Sequence, residues 1–259
     1  NKFSIPLLFN NFILKVNYEQ GKTIYLSPIH KDNQDLAFKM QGFAYYTLNN
    51  NIETNFFKKQ DCCNTISVKG EFSINNAKEY TASLNAEFTK SFNPYLKMFV
   101  DKETIKSLYP SISKYEIISL TKEQLKAKFN IENKNTNTKE KYIFIPIPVS
   151  SAGFDSYGIT SLSSKRNSPL ELPYNLTENY EYTFQLPKEL KPAMTVTDIN
   201  ISNSVGSVII KISSNNDKII VSKSIKINNT LIDPANYNDF RLLVNSWLNK
   251  NYKELILSL

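Results

Sequence analysis

Residue types that can carry nucleophilic catalysis occur in the first quarter of the sequence. The single histidine, His30, is followed two positions later by Asp32, and the two cysteines, Cys62 and Cys63, are adjacent. A thiolate paired with an imidazole base would be the chemistry of a cysteine-dependent hydrolase or acyltransferase. A lone histidine after a strand is more often a surface or turn residue, however, and adjacent cysteines more often fill space at a strand edge. We therefore expect His30 to be a surface or turn residue and the two cysteines to pack at a strand edge.

The same few residues limit disulfide and metal chemistry. Neighbouring cysteines bridge each other only with strain, so two cysteines in 259 residues predict no disulfide framework. No metal-ligand spacing surrounds them, and one histidine makes a zinc site improbable. We therefore expect neither a metal site nor another cofactor.

A second set of residues suggests ligand binding. Arg166 and Glu171 could mark a binding groove, although we favour a role in ordering the loop before the last β region. Tyr174, Tyr180 and Tyr182 could form a face on which a carbohydrate stacks. Strand alternation puts Tyr180 and Tyr182 on one face, and we favour packing within a sheet, with the hydroxyls at its rim.

The composition excludes several classes of protein. With 41% hydrophobic and 21% charged residues, the chain is typical of a globular protein rather than a disordered one. The net charge of +7 is spread along the chain, and only Arg166 and Arg241 are arginines, whereas nucleic-acid binding requires clustered basic residues. No apolar run approaches the ~18 residues of a transmembrane helix. We expect no nucleic-acid partner and no transmembrane segment.

The dominant signal along the chain is β-structure. Apolar or alternating runs bounded by turn residues predict strands at 12–18, 22–28, 66–74, 78–90, 141–149, 180–186, 207–214 and 217–228. In the last of these, Val221, Ile225 and Ile227 share one face, which is typical of a half-buried strand. The sequence therefore predicts a mainly β, α+β fold of antiparallel sheets with a few helices.

Two helices are predicted in the middle of the chain. Segment 101–110 begins at a capping-type residue, Asp101, and ends at a proline. Segment 121–130 carries a capping box, because Thr121 precedes Gln124 by three residues. The polar stretch 130–140 that follows has no periodicity and is predicted to be a linker or a long exposed loop.

A third helix is predicted near the C-terminus. Asp233 occupies the N-cap position and Pro234 the first helical position. An apolar stripe then recurs at three- and four-residue spacing: Tyr237, Phe240, Val244, Trp247 and Leu248. A final strand is predicted at the end of the chain, in the sequence KELILSL.

Several short motifs follow one another in a set order. They are Phe9-Asn10-Asn11, Leu26-Ser27-Pro28-Ile29, Gln41-Gly42, Arg166 with PLELPY at 169–174, YEYTFQLP at 180–187, Phe240-Arg241 and the terminal ELILSL. Together they resemble the transglutaminase-like superfamily. That superfamily includes multidomain Gram-negative envelope proteins in which a papain-like core precedes a β-rich domain of unknown function.

The resemblance implies a division of the chain into three parts. Residues 1–48 would be a remnant of the last strands of the transglutaminase-like core, and 49–140 a β-rich region with two helices. Residues 141–259 would form a β-sandwich-like C-terminal domain closed by the C-terminal helix.

The resemblance also implies a degenerate catalytic triad. The family uses a cysteine nucleophile, a histidine base and an aspartate that orients the histidine. In this sequence Asn11 holds the histidine position and Ser27 the aspartate position, and the cysteine would lie upstream of Asn1. An amide cannot accept a thiol proton at neutral pH, and a hydroxyl cannot stabilise an imidazolium as a carboxylate does. We therefore expect a piece of a longer parent protein, without its triad.

Three functions stay open at this point. The resemblance favours a non-catalytic part of a secreted, periplasmic or cell-surface protein, with a structural or peptide- or glycan-binding role beside an upstream domain of the same chain. The second is an active cysteine-dependent enzyme whose cysteine lies upstream and whose base is His30. The third is a stand-alone carbohydrate-binding or adhesin module, which requires an exposed aromatic platform.

Overall fold

The structure is a computed structural model. It describes residues 13–18, 22–26, 44–46, 54–56, 64–75, 79–95, 98, 102–133, 137–139, 141–159, 162–194, 197–215 and 217–258. The chain forms two compact units, Asn1–Cys62 and Cys63–Leu259, each of which has its own strands.

The described part of the first unit contains two antiparallel strand pairs. Strand β1 (Leu14–Tyr18) pairs with β2 (Lys22–Leu26), and β3 (Ala44–Tyr46) pairs with β4 (Thr54–Phe56). The first pair confirms the strands that were predicted at 12–18 and 22–28.

The second unit carries the remaining strands and one α-helix with defined bounds. The strands are β5 (Thr65–Ile74), β6 (Tyr80–Thr89), β7 (Ile112–Leu120), β8 (Gln124–Asn133), β9 (Asn137–Lys139), β10 (Tyr142–Pro146), β11 (Leu170–Glu171), β12 (Leu176–Gln185), β13 (Lys191–Pro192), β14 (Ile199–Ser202), β15 (Gly206–Asn215), β16 (Lys218–Ile227), β17 (Leu231–Ile232) and β18 (Glu254–Ser258). The helix is α1 (Tyr237–Trp247). The prediction of a mainly β, α+β fold is confirmed.

An eight-stranded sheet is the main feature of the second unit. Its strands lie in the order β14-β15-β16-β12-β5-β6-β8-β7. Neighbouring strands are antiparallel except for β12 and β5, which run parallel. Each central strand alternates buried residues with half-buried or exposed ones, since successive side chains point to opposite faces and one face meets the core.

This sheet contains strands from both sides of the predicted boundary at residue 140. The parallel contact joins β5, from the middle part of the chain, to β12, from its C-terminal part. The division into 1–48, 49–140 and 141–259 stays a prediction.

Helix α1 covers the core face of the sheet. The Trp247 ring lies 6.2 Å from the Tyr180 ring of β12. The buried residues of α1 follow the predicted stripe with Leu243 added, whereas Leu248 lies beyond the end of α1 and is half-buried. The predicted helix start, Asp233 and Pro234, belongs to a short 3-10 turn, Pro234–Asn236, and the Asp233 side chain makes no capping hydrogen bond there; α1 begins at Tyr237. The predicted final strand is confirmed as β18, the partner of β10 in a second sheet of order β13-β18-β10-β9.

The helix predicted at 121–130 is wrong, because this segment forms strand β8. Its apolar residues Leu125, Phe129 and Ile131 recur every second or fourth position and are buried at 0–2% exposure. That spacing fits the two-residue period of a strand, whereas a helix would place Ile131 on the side opposite Leu125 and Phe129. Thr121 caps the β7–β8 turn, since its hydroxyl oxygen accepts the Gln124 N–H at 3.1 Å.

Two further predictions need correction. Residues 102–108 form two 3-10 turns, Lys102–Thr104 and Lys106–Leu108, rather than a continuous α-helix. The segment 130–140 is not a simple linker, because its start belongs to β8 and Asn137–Lys139 pairs with β10. Among its described polar residues, Asn130, Glu132, Thr138 and Lys139 are exposed to solvent.

Candidate functional site

A surface groove lies between the start of α1 and a loop about seventy residues earlier in the chain. Its volume is about 450 Å³, within the usual range for ligand pockets. We call it the Arg166 groove, and its lining residues are Ser164, Lys165, Arg166, Asn167, Pro234, Tyr237 and Asn238.

Side chains from α1 hold the loop that forms one wall of this groove. The Arg241 guanidinium donates to the Ser164 carbonyl oxygen at 2.7 Å, and the Tyr237 hydroxyl donates to the Ser163 carbonyl at 3.1 Å. Both are side chain to backbone bonds, so they fix the loop path whatever its side chains are. The groove is therefore built by tertiary contacts rather than by one local motif.

The groove has a basic and hydrogen-bonding character. The Arg166 guanidinium carbon lies 5.9 Å from the centre of the Tyr237 ring, within cation–π range. Its Nε donates to the Ser168 carbonyl over a long 3.4 Å. Lys165 adds a second cation, and Asn167 and Asn238 add amides. Such a lining suits a ligand with carboxylates, carbonyls or hydroxyls.

The other predicted binding residues lie apart from this lining. Glu171 is exposed in β11, and the ion pairs of the described residues do not join it to Arg166. Tyr174 is half-buried, with its hydroxyl 2.6 Å from that of Ser156, and its carbonyl accepts the hydroxyl of Tyr157. Whether any of these residues binds a ligand stays a prediction.

Tyr180 and Tyr182 do not form an exposed carbohydrate-stacking face. Both are 1% exposed and point into the core from β12, which is the sheet packing that we favoured from the sequence. Their hydroxyls are buried rather than at a rim: that of Tyr182 donates to the Pro148 carbonyl at 2.8 Å. Gly70 on the neighbouring strand leaves the space for this ring, since a Cβ there would lie 2.9 Å from it.

These two tyrosines belong to a buried polar cluster that the sequence analysis missed. We call it the Glu178 cluster, and its members are Tyr109, Ser150, Glu178, Tyr180, Tyr182 and Lys223. Glu178 is 1% exposed, and its carboxylate accepts the Tyr180 hydroxyl at 2.6 Å and the backbone N–H of Phe154. The Tyr180 oxygen in turn accepts the Ser150 N–H at 3.0 Å. The cluster thus ties the 150–154 loop to β12.

Lys223 is the cation of this cluster. It is 3% exposed, lies opposite Tyr180 on β16, and its ammonium sits 4.2 Å from the centre of the Trp247 ring. A desolvated ammonium over an indole face gains a cation–π attraction of about 2 kcal/mol. Because the ring belongs to α1, the contact also helps to dock the helix.

Burial dominates the titration of both charged groups. Burial raises the pKa of Glu178 to about 7, although the Tyr180 hydroxyl and the Phe154 N–H both stabilise its carboxylate. Burial lowers the pKa of Lys223 to about 8, against the opposite effect of Glu178. Burial also raises the pKa of Tyr109, Tyr180 and Tyr182 well above the usual value.

One polar atom of the Glu178 cluster lacks a well-formed hydrogen bond to the described residues. The Tyr109 hydroxyl is fully buried and makes no hydrogen bond of good geometry to the described residues, although Ser150 and Tyr182 are its neighbours. The cluster is enclosed by β12, β16, α1 and the 150–154 loop, so its charged groups are closed to solvent and contact only other protein groups.

A signal for this cluster was present in the sequence. Glu178, Tyr180 and Tyr182 are two residues apart, so they lie on the same face of a strand. Lys223 lies between Val221 and Ile225 on the face predicted to be apolar. A charged residue on an apolar face predicts a buried ion or a partner for one.

The two degenerate triad positions, Asn11 and Ser27, lie outside the described residues. So do the residues that could supply a thiolate and an imidazole base: His30, Asp32, Cys62 and Cys63. Among the described residues, no group of three histidine, cysteine, aspartate or glutamate side chains is placed to hold a metal ion. Within the same part of the chain, no helix combines the length and apolarity needed to cross a membrane.

Comparison with known proteins gives a partial match. Residues 140–257 match a family described as a domain of unknown function with a solved structure, DUF3858. The chain is also similar to a protein named "putative protease" from Parabacteroides distasonis ATCC 8503, whose crystal structure was determined at 2.00 Å. The sequence identity is 32% and the TM-score is 0.43. The match covers 47% of this chain and 24% of that one, so it spans about a quarter of that protein's length. No curated protein matches significantly.

Proposed function

We propose that the chain is a non-catalytic part of a larger, transglutaminase-like envelope protein, and that its Arg166 groove binds a peptide or glycan of the cell envelope. The observation that carries this proposal is the groove itself: two cations, two amides and an aromatic ring around about 450 Å³ of open space. The remaining role of the chain is structural.

The lining of the groove favours binding over catalysis. None of the described residues that line it is a histidine, a cysteine or a carboxylate, so the groove supplies no general base of its own. Its side-chain hydroxyls belong to Ser164 and Tyr237, and that of Tyr237 already donates to the Ser163 carbonyl. Charge-assisted hydrogen bonds from Lys165 and Arg166 would hold a ligand without activating it.

The titratable groups that do lie close together are closed to a substrate. Glu178 and Lys223 are 1% and 3% exposed, and the Glu178 carboxylate already accepts two protein donors. These contacts support a structural role, in which the cluster fixes the 150–154 loop against the sheet.

The groove lies within the part of the chain that the family model matches. Both segments of the groove, 164–167 and 234–238, lie inside the 140–257 region that matches the domain of unknown function. The envelope location and the upstream transglutaminase-like core rest on the resemblance of the sequence motifs.

The proposal is tested with a muropeptide, the disaccharide–peptide unit of the bacterial cell wall, titrated by calorimetry against the full chain. We expect wild-type binding, and at least about tenfold weaker binding for Arg166→Ala, because a hydrogen bond to a charged group contributes about 1.5–3 kcal/mol. Arg166→Lys should restore part of the affinity. Lys188→Ala, an exposed lysine outside the groove, is the matched control and should bind as the wild type does.

Separate titrations of the disaccharide and of the stem peptide show which half is recognised. Absence of binding to all three probes would overturn the proposal. Equal binding by wild type and Arg166→Ala would overturn the assignment of the groove.

A further inference from the structure

Strand β7 lies at the edge of the eight-stranded sheet. It pairs with β8 on one side, and among the described strands none pairs with its other side. It is nine residues long, and a long edge strand presents unpaired backbone N–H and C=O groups to any chain that approaches. Proteins usually shorten or cover such edges.

The apolar face of the sheet continues onto this edge, where its side chains are partly exposed. Tyr115 lies opposite Phe129 and Ile117 opposite Ala127, so both share the core-facing side of β8. Phe129 and Ala127 are buried, but Tyr115 and Ile117 are 41% and 40% exposed. The two apolar side chains on the last strand of the core face are thus partly open to solvent.

Two β-bulges leave a short regular segment between them. Register shifts occur between Ile112 and Lys114 and between Ile117 and Ser119, so the run from Lys114 to Ile117 is regular. Within it, Tyr115 and Ile117 point to the core side, and Lys114 and Glu116 point to the other side.

From this edge we infer that the chain forms a two-fold dimer, in which β7 pairs antiparallel with β7 of a second copy, centred on Tyr115. Charge decides between the registers centred on Lys114, Tyr115 and Glu116, and centring on Ile117 would pair the regular run with residues beyond the second bulge. Centring on Tyr115 places Lys114 opposite Glu116 of the other copy, twice. Centring on Lys114 would set two lysines opposite each other, and centring on Glu116 two glutamates, both of which are unfavourable.

The same register also covers the exposed apolar side chains. The two Tyr115 rings face each other across the dimer axis, and Ile117 of each copy lies diagonally beside them. An antiparallel pair keeps the same face outward in both copies, so the apolar face of one sheet continues into the other. The self-complementary charges favour a second copy over an unrelated strand. This inference is independent of the Arg166 groove and of its ligand.

The test is sedimentation equilibrium of the full chain over a range of concentrations. The wild type should reach twice the chain mass of 29.8 kDa. Lys114→Glu turns both cross-strand pairs into repulsive ones and should raise the dissociation constant at least about tenfold. The charge swap Lys114→Glu with Glu116→Lys recreates both pairs and should restore dimerisation.

Asn200→Glu, on β14 at the opposite edge of the sheet, is the matched control and should dimerise as the wild type does. Circular dichroism and the thermal midpoint verify that each variant is folded, which matters because Glu116 also lies opposite Lys128 of its own chain. A monomeric wild type at every concentration would overturn the inference. So would a folded double variant that fails to dimerise, or a Lys114→Glu variant that still does.

Discussion

Replacing Glu178 by glutamine tests whether a buried, titrating carboxyl holds the core of the second unit. Glu178 is enclosed between β12 and the 150–154 loop, where it accepts hydrogen bonds from Tyr180 and from Phe154. Glutamine has nearly the same shape and keeps one acceptor oxygen, but it cannot ionise. The variant therefore isolates the cost of a buried charge from the packing of the side chain.

The size of the effect follows from the pKa of Glu178, which burial raises from 4.5 to about 7. Between these two values the folded protein binds more protons than the unfolded chain, so the free energy of unfolding falls as the pH rises. One pKa unit corresponds to about 1.4 kcal/mol. From about pH 5 to about pH 7.5, this single group should lower the wild-type free energy of unfolding by about 2 kcal/mol.

Urea denaturation at these two pH values, followed by the fluorescence of the single tryptophan, measures the effect. Glu178→Gln should lose about 2 kcal/mol of the wild-type pH dependence, and should compare more favourably with the wild type at the higher pH. Glu181→Gln is the matched control, because Glu181 lies on the same strand but is exposed beside Lys69. A difference between wild type and Glu178→Gln that stays the same at both pH values would refute the reasoning.

Three further predictions concern stability and are read from the same denaturation curves. Tyr109→Phe should leave the free energy of unfolding unchanged or raise it, because the Tyr109 hydroxyl has no good hydrogen-bond partner. Tyr182→Phe should lower it by about 1 kcal/mol, because the buried Pro148 carbonyl loses its donor; equal effects of the two variants would contradict this. Gly153→Ala should cost about 1–3 kcal/mol, since its Cβ would overlap the Glu178 carboxyl, and an unchanged midpoint would argue against that contact. Thr121→Ala should cost about 1 kcal/mol without loss of helical circular dichroism, because Thr121 caps a β-turn; a loss of helical signal would favour the helix instead.

The sequence predicts the parts of the fold that local periodicity determines. Strands β5 and β6 alternate apolar and polar residues, and a two-residue period leaves little choice of structure. Strands β15 and β16 are recognisable from their runs of Val and Ile, residues that favour strands. Helix α1 is equally clear in its buried face, because the apolar stripe recurs at helical spacing, whereas Asp233 and Pro234 mark the start of the preceding 3-10 turn.

Segment 121–130 shows where a local signal misleads. The Thr121–Gln124 spacing of a capping box also suits a hydroxyl that caps a tight turn, and only the alternation of Leu125, Ala127, Phe129 and Ile131 separates the two. Strand β8 has neighbours on both sides, so tertiary pairing decides the outcome.

The candidate site was predictable only in part, because its segments are distant in sequence. Arg166 was singled out, but its groove exists because Arg241 and Tyr237 bind a loop more than seventy residues earlier. The Glu178 cluster needed the register of β12 against β16, which sets Tyr180 opposite Lys223. Neither contact follows from periodicity along a single segment.

Chemical-shift mapping on the labelled chain tests the central claim most directly. When muropeptide is added, we predict that the backbone amide signals of 164–167 and 237–238 shift together and saturate at one dissociation constant. In the Arg166→Ala variant these shifts should require at least about tenfold more ligand. Shifts confined to residues away from the Arg166 groove, or none at saturating ligand, would contradict the account.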